Sequence, residues 1–209
     1  MVSVRVLLAG IILGSVVLGA CRDRGPHSAQ QTTELRVEIP QSNWVPIFFK
    51  DIDRRVEQAK FVNLRTVILP ENDLEVRLWF GAASRGIDGI TIRRSSGVWS
   101  SIYLHGWSHS GETAKHYEEL MQTPRSGWER AWQRLVDSGL LTLPDASQVD
   151  CNVMGRDGIA FIVETNVNRT YRTYLYDDPT YAKCDEAKLL LKLIDIVNQE
   201  FGSSWVTTN

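Results

Sequence analysis

The chain has 209 residues, 23 Lys and Arg against 25 Asp and Glu for a formal net charge of −2, and 43% hydrophobic residues. These are the proportions of an ordinary globular protein, which exclude a disordered or fibrous chain. The length suits one domain with a real core, and the near-neutral charge provides no basic surface for nucleic acid, which is not an expected partner.

The chain opens MVSVRVLLAGIILGSVVLGAC, with Arg5 the only charged side chain before an unbroken run of apolar and small residues, Val6 to Ala20. That run is short of the roughly 20 residues a membrane-spanning helix needs and fits the h-region of a secretory signal. Leu18-Gly19-Ala20-Cys21 then places small residues immediately before a cysteine. This stretch resembles the lipobox of bacterial lipoproteins. The resemblance implies acylation of the Cys21 thiol and cleavage before it, so residues 1–20 read as a lipoprotein signal peptide. The membrane is then a partner through the acyl chains on Cys21. Arg22, rather than Asp, in the next position implies the periplasmic side of the outer membrane if the cell is Gram-negative. Residues 22–33, RDRGPHSAQQTT, hold no aliphatic residue larger than Ala. With Cys21 they form an expected flexible tether, 21–33, spanning roughly 20 Å root-mean-square. A single domain is expected over 34–209.

The folded part begins with Leu35, Val37 and Ile39, which alternate as in a short half-buried strand ended by Pro40. A short helix is expected over about 50–60, with Ile52, Val56 and Ala59 on one face, and a strand at Val67 to Leu69. Leu74, Val76, Leu78 and Phe80 alternate with Glu75, Arg77 and Trp79 in a clear amphipathic strand. Ile90 and Ile92, a turn at Ser95-Ser96-Gly97, and Val98, Ile102 and Leu104 predict a hairpin with a three-residue connection. Ser126 and Glu129 fit a capping box for a helix over about 126–138, ended by Gly139. A second hairpin is expected from runs at 159–163 and 171–176, with its turn around Asn166 to Thr170. The closing helix, 185–201, carries a broad apolar stripe ended by Gly202. Short connections favour antiparallel pairing. The expected fold is α+β: an antiparallel sheet of hairpins with the two main helices on one face.

Three cysteines are an odd number for an exported protein. Lipidation of Cys21 would leave Cys151 and Cys184, which are expected to pair in an oxidising compartment. In the chain-entropy model such a bridge contributes about 3–4 kcal/mol. A two-cysteine metal site would need His or acidic partners that the sequence does not place.

His105, His109 and His116 fall within 12 residues, at a strand end and in a polar loop. Imidazoles can ligate zinc or shuttle protons, but these intervals force no shared geometry and no known zinc motif is present. Gly106-Trp-Ser-His-Ser110 misses the last glycine of a nucleophile elbow. Asp177-Asp178-Pro179 reads as turn chemistry. No catalytic, cofactor-binding or metal-ligating residue is assigned, and no cofactor is expected. Trp79, Trp99 and Tyr103 stand opposite the aliphatic series of their strands, with Tyr174 and Tyr176 as further members of the set. They suggest an aromatic sheet face, open to a partner or a glycan, or covered by the 35–69 segment or by a helix; coverage is the preferred reading.

WERAWQRLVDSGLLTLPD (Trp128 to Asp145), with Asp157-Gly158 and Tyr171-Arg-Thr-Tyr-Leu-Tyr176, resembles a recurrent pattern among uncharacterised bacterial exported proteins. The resemblance implies a shared fold and carries no known activity to any residue. The expectation is a lipid-anchored envelope protein that binds an envelope protein or glycan without catalysis. The alternatives are an envelope hydrolase or metal-dependent enzyme using the His105/His109/His116 loop, and a lipoprotein inhibitor of a hydrolase.

Overall fold

The computed structural model describes residues 34–40, 45–82, 86–107, 115–120, 123–151 and 159–202. All belong to the unit Glu34–Asn209; Cys21, the expected lipobox and the expected tether lie outside the described residues. In chain order the elements are β1 (Arg36–Glu38), α1 (Val45–Gln58), β2 (Leu74–Ala82), β3 (Gly86–Ser95), β4 (Val98–Trp107), β5 (Lys115–Leu120), α2 (Trp128–Asp137), a 3-10 turn (Ala146–Gln148), β6 (Ala160–Val167), β7 (Thr170–Asp177) and α3 (Asp185–Phe201). No helix among the described residues is long and apolar enough to cross a membrane.

The fold is α+β. Seven strands form one sheet in the order β1-β7-β6-β2-β3-β4-β5. Five of its pairings are antiparallel, as the hairpin pattern predicts. The exception is β1, which lies parallel to β7 and makes the sheet mixed. No hairpin links these two strands: nearly the whole domain separates them, so hairpin logic had no hold on their direction.

Both hairpin turns are tighter than expected. Ser95 pairs directly with Val98, leaving Ser96 and Gly97 as a two-residue loop. Val167 pairs with Thr170 across Asn168 and Arg169. All four loop residues have positive φ, the sign a type I′ turn requires and the one that matches strand twist. Val67 to Leu69 is irregular rather than a strand, and β5 stands where a polar loop was expected.

The sheet is covered on both faces. On one, Val76 and Leu78 of β2, Ile90 and Ile92 of β3 and Val163 of β6 pack under Leu135 of α2 and Leu190, Leu193, Ile194 and Val197 of α3. On the other, Trp79, Leu104 and Ile162 pack under Ile52 and Val56 of α1 and Ala59 just beyond its end. The expected pair of helices therefore shares one face, and a third helix, longer than the 50–60 expected, takes the opposite one. Central β6 is buried without interruption from Phe161 to Asn166, as a strand covered on both sides must be.

Helix α2 starts two residues later than expected, and no capping box forms. Its N-cap is Gly127, with no side-chain cap. Ser126 and Glu129 are drawn off by tertiary partners: Ser126 binds Glu200 of α3, and Glu129 accepts from the Trp99 indole at 2.9 Å. The other end is as expected. Gly139 has φ 93°, its N–H donates to the Val136 carbonyl and Leu140 N–H to that of Leu135, a Schellman closure. A capping box does form one step on, between Asp145 and Gln148 at the 3-10 turn. Helix α3 spans its expected residues and ends on left-handed Gly202.

Candidate functional site

Of the histidine cluster, His105 in β4 pairs in register with Tyr117 of β5, and His116 in β5 with Gly106 of β4. His109 lies outside the described residues, as do Ser108 and Ser110 of the imperfect nucleophile elbow; Gly106 and Trp107 continue β4.

The expected aromatic face also divides. Ile92 pairs with Ser101 and Thr91 with Ile102, which puts Ile102 and Leu104 on the α1 face. The aliphatic series of β4 thus faces opposite to that of β2. Trp79 is covered by α1 from the 35–69 segment, in line with the coverage reading. Trp99 joins the α2/α3 face with Trp128 and Trp132, and Tyr174 and Tyr176 lie there too. Trp99 stacks almost parallel on Trp128 at 5.7 Å, meets Trp132 at 5.7 Å and has the Arg94 guanidinium 5.2 Å from its ring. These rings bind one another and fix α2 to the sheet.

The described residues include a buried group of ionisable side chains that sequence reasoning missed. It lies on the α1 face, between the helix and the loop that follows it. Register aligns Thr173, Glu164, Arg77 and Thr91 across four neighbouring strands, with Tyr171, Asn166 and Glu75 in the next row. All seven are buried. Glu164 accepts from the Trp79 indole and from the Tyr171 hydroxyl, each at 2.8 Å. Arg77 donates through Nε to Glu75 at 2.8 Å and through Nη2 to the Val62 carbonyl at 2.8 Å. Asn166 Nδ2 donates to the carbonyls of Leu64 and Val67. Burial, then the charge of Glu164 and the hydrogen bond to it, push the Tyr171 phenol far above its ordinary range, so it stays a neutral donor.

The arrangement is a clasp. Arg77 and Asn166 reach up from the sheet and take carbonyls of the 59–69 loop, while Phe61 of that loop lies 5.2 Å from the Arg77 guanidinium. Arg65 in turn pairs with Asp53 of α1. Charged groups in such a place cost several kcal/mol of desolvation unless paired and hydrogen-bonded. Glu164 and the Nε and Nη2 atoms of Arg77 are satisfied in this way, while Arg77 Nη1 and the Thr91 hydroxyl are buried without a hydrogen-bond partner. The sequence signal was present in Glu75, Arg77 and Glu164, but alternation alone reads such residues as solvent-facing.

A second set joins the segments Leu140 to Asp145 and Tyr171 to Tyr176. Arg172 donates to the carbonyls of Leu141 and Leu143, Tyr174 to that of Leu140 at 3.0 Å and Tyr176 to that of Pro144 at 2.8 Å. Asp145 accepts from Leu175 N–H at 2.8 Å, occupying the outer edge of β7 beyond its short pairing with β1. Burial raises both Tyr174 and Tyr176 above the ordinary phenol range. Asp177 is also raised, by burial first and then by Asp178 and Asp145. Asp178 itself sits in the turn, with φ 46°, and accepts from Ile159 N–H.

Cys151 and Cys184 form the expected disulfide, with Cα atoms 5.1 Å apart. Cys184 is the N-cap of α3, its sulfur accepting from Ala187 N–H at 3.4 Å. The bridge ties the segment after the 3-10 turn to the start of the closing helix. In comparisons with known proteins, no family model and no curated protein sequence matches the chain.

Proposed function

We propose that this chain is a lipid-anchored protein of the bacterial envelope, held through acyl groups on Cys21, whose α+β domain binds an envelope protein or glycan without catalysis. The observation that carries this reading is the disulfide between Cys151 and Cys184. It suits an oxidising compartment and leaves Cys21 as the one cysteine outside the pair. The buried ionisable groups support the non-catalytic part: Glu75, Arg77, Glu164 and Tyr171 bind one another across the sheet, and Arg77 holds the loop after α1.

The test is metabolic labelling with an alkyne analogue of palmitate in a bacterial host, followed by membrane fractionation. The wild type should carry the label and sediment with membranes. Cys21→Ala should lose the label and accumulate as an uncleaved precursor. Label retained by Cys21→Ala, or an unlabelled mature wild type, would reject the anchor.

A further inference from the structure

The disulfide has an acidic neighbour that sequence could not place. The two sulfurs and a carboxylate oxygen of Glu186 all lie within 4.8 Å of one another, and all three residues are half-buried. They come from two separate stretches: Cys151 from the segment after the 3-10 turn, Cys184 and Glu186 from the N-cap and first turn of α3. We propose that Cys151, Cys184 and Glu186 form a latent site for a thiophilic divalent cation of the Zn²⁺ class, closed while the disulfide stands and opened when a dithiol reduces it.

The donor set fits that chemistry. Zinc takes Cys sulfur at about 2.3 Å and carboxylate oxygen at about 2.0–2.2 Å, so tetrahedral donors sit roughly 3.5–3.8 Å apart. The Glu186 carboxylate already lies within 4.8 Å of both sulfurs, which are bonded to each other in the disulfide and would have to separate to that spacing once reduced. Two thiolates and one carboxylate leave the fourth position to water, the pattern of an open site. The Ala187 N–H donates to the Cys184 sulfur at 3.4 Å, so a backbone donor already stands beside one of the ligand atoms. The surroundings lean acidic: Glu186 and Asp145 both bear on the Tyr176 phenol, while Lys188 is engaged by Asp185.

The balance is simple. A dithiol passes two electrons and two protons to the S–S bond, becoming a disulfide and releasing two cysteine thiols. Zn²⁺ then displaces both thiol protons to solvent and binds two thiolates, with Glu186 as the third donor. Oxidised and metal-loaded forms are mutually exclusive.

The experiment uses the full chain in detergent micelles, carrying Cys21→Ser so that the pair alone supplies thiols. After anaerobic reduction by a dithiol and its removal, Co²⁺ is titrated in. The reduced protein should develop thiolate-to-cobalt charge-transfer absorption and the visible bands of a tetrahedral ion, and one equivalent of Zn²⁺ should bleach both. The oxidised protein should show neither. Cys151→Ser should cut the charge-transfer intensity to that of one thiolate or less, and Glu186→Gln should weaken Co²⁺ binding at least about tenfold. Absence of the band in the reduced protein, or an unchanged affinity in Glu186→Gln, would overturn the proposal. Near-ultraviolet circular dichroism covers the case in which reduction unfolds the domain. There, Zn²⁺ should restore the native signal in the Glu186 protein at concentrations that leave Glu186→Gln unfolded, and failure to restore it overturns the proposal equally.

Discussion

Glu200 shows how much one buried carboxylate can organise. Its oxygens accept from Ser126 N–H at 2.9 Å, from the Ser126 hydroxyl at 2.9 Å and from Arg134, so the end of α3 clamps the start of α2. Burial alone would raise its pKa, but the hydrogen bonds from Ser126 and the Arg134 charge outweigh that and hold it below the ordinary value. A depressed folded-state pKa adds stability that is present above the unfolded value, about 4.3, and is lost as pH falls through the lower folded one. Resistance to urea unfolding should therefore fall as pH drops below about 4.5, and Glu200→Gln should be less stable at pH 7 with a flatter acid limb. Equal acid slopes in the two proteins would contradict this account. At Tyr171 the relevant loss is a donor. Tyr171→Phe leaves one Glu164 oxygen buried without its hydroxyl partner and should cost about 1–3 kcal/mol, read as a lower urea midpoint at unchanged m-value.

At the level of elements, the meeting of β2 and β3 depends on a missing side chain. Gly89 lies opposite Trp79 in register, and a Cβ there would sit 2.5 Å from the Trp79 ring. The indole lies across the strand where any other residue would stand. Gly89→Ala should force the ring off its site and cost about 1–3 kcal/mol in equilibrium unfolding, as overpacking typically does. A neutral result would mean that the ring is not held there. Helix α2 teaches a different lesson about legibility. Its apolar face and its Schellman end were readable from spacing and from Gly139, because both depend on residues within a turn or two of each other. Its start was not: Ser126 and Glu129 have the right types for a capping box, yet Glu200 and the Trp99 indole, distant in sequence, compete for them and win.

For the molecule as a whole, the two helical layers share one sheet, and β2 and β6 are buried between them. Neither layer can lose its cover without exposing strands that the other needs. Unfolding should therefore be a single transition, with tryptophan fluorescence and far-ultraviolet circular dichroism giving the same urea midpoint. Separate midpoints would show that α1 and its loop detach before the α2/α3 layer.

The sequence by itself determined the N-terminal apolar run with Cys21 at its end, the two hairpins, the extent of α3, the α+β class and the Cys151–Cys184 pairing expectation. These rest on local periodicity, on turn residues and on the parity of a cysteine count. Tertiary structure alone decided which way each strand faces. A one-residue change of phase between β2 and β4 sends their apolar rows to opposite sides, dissolving the aromatic face the sequence suggested. It also decided that Glu75, Arg77 and Glu164 are buried, since alternation cannot tell water from a covering helix. The approach of Glu186 to the two sulfurs belongs to the same class. Contacts between Cys151 and a helix turn some 35 residues on follow from how the chain packs, which no spacing rule encodes.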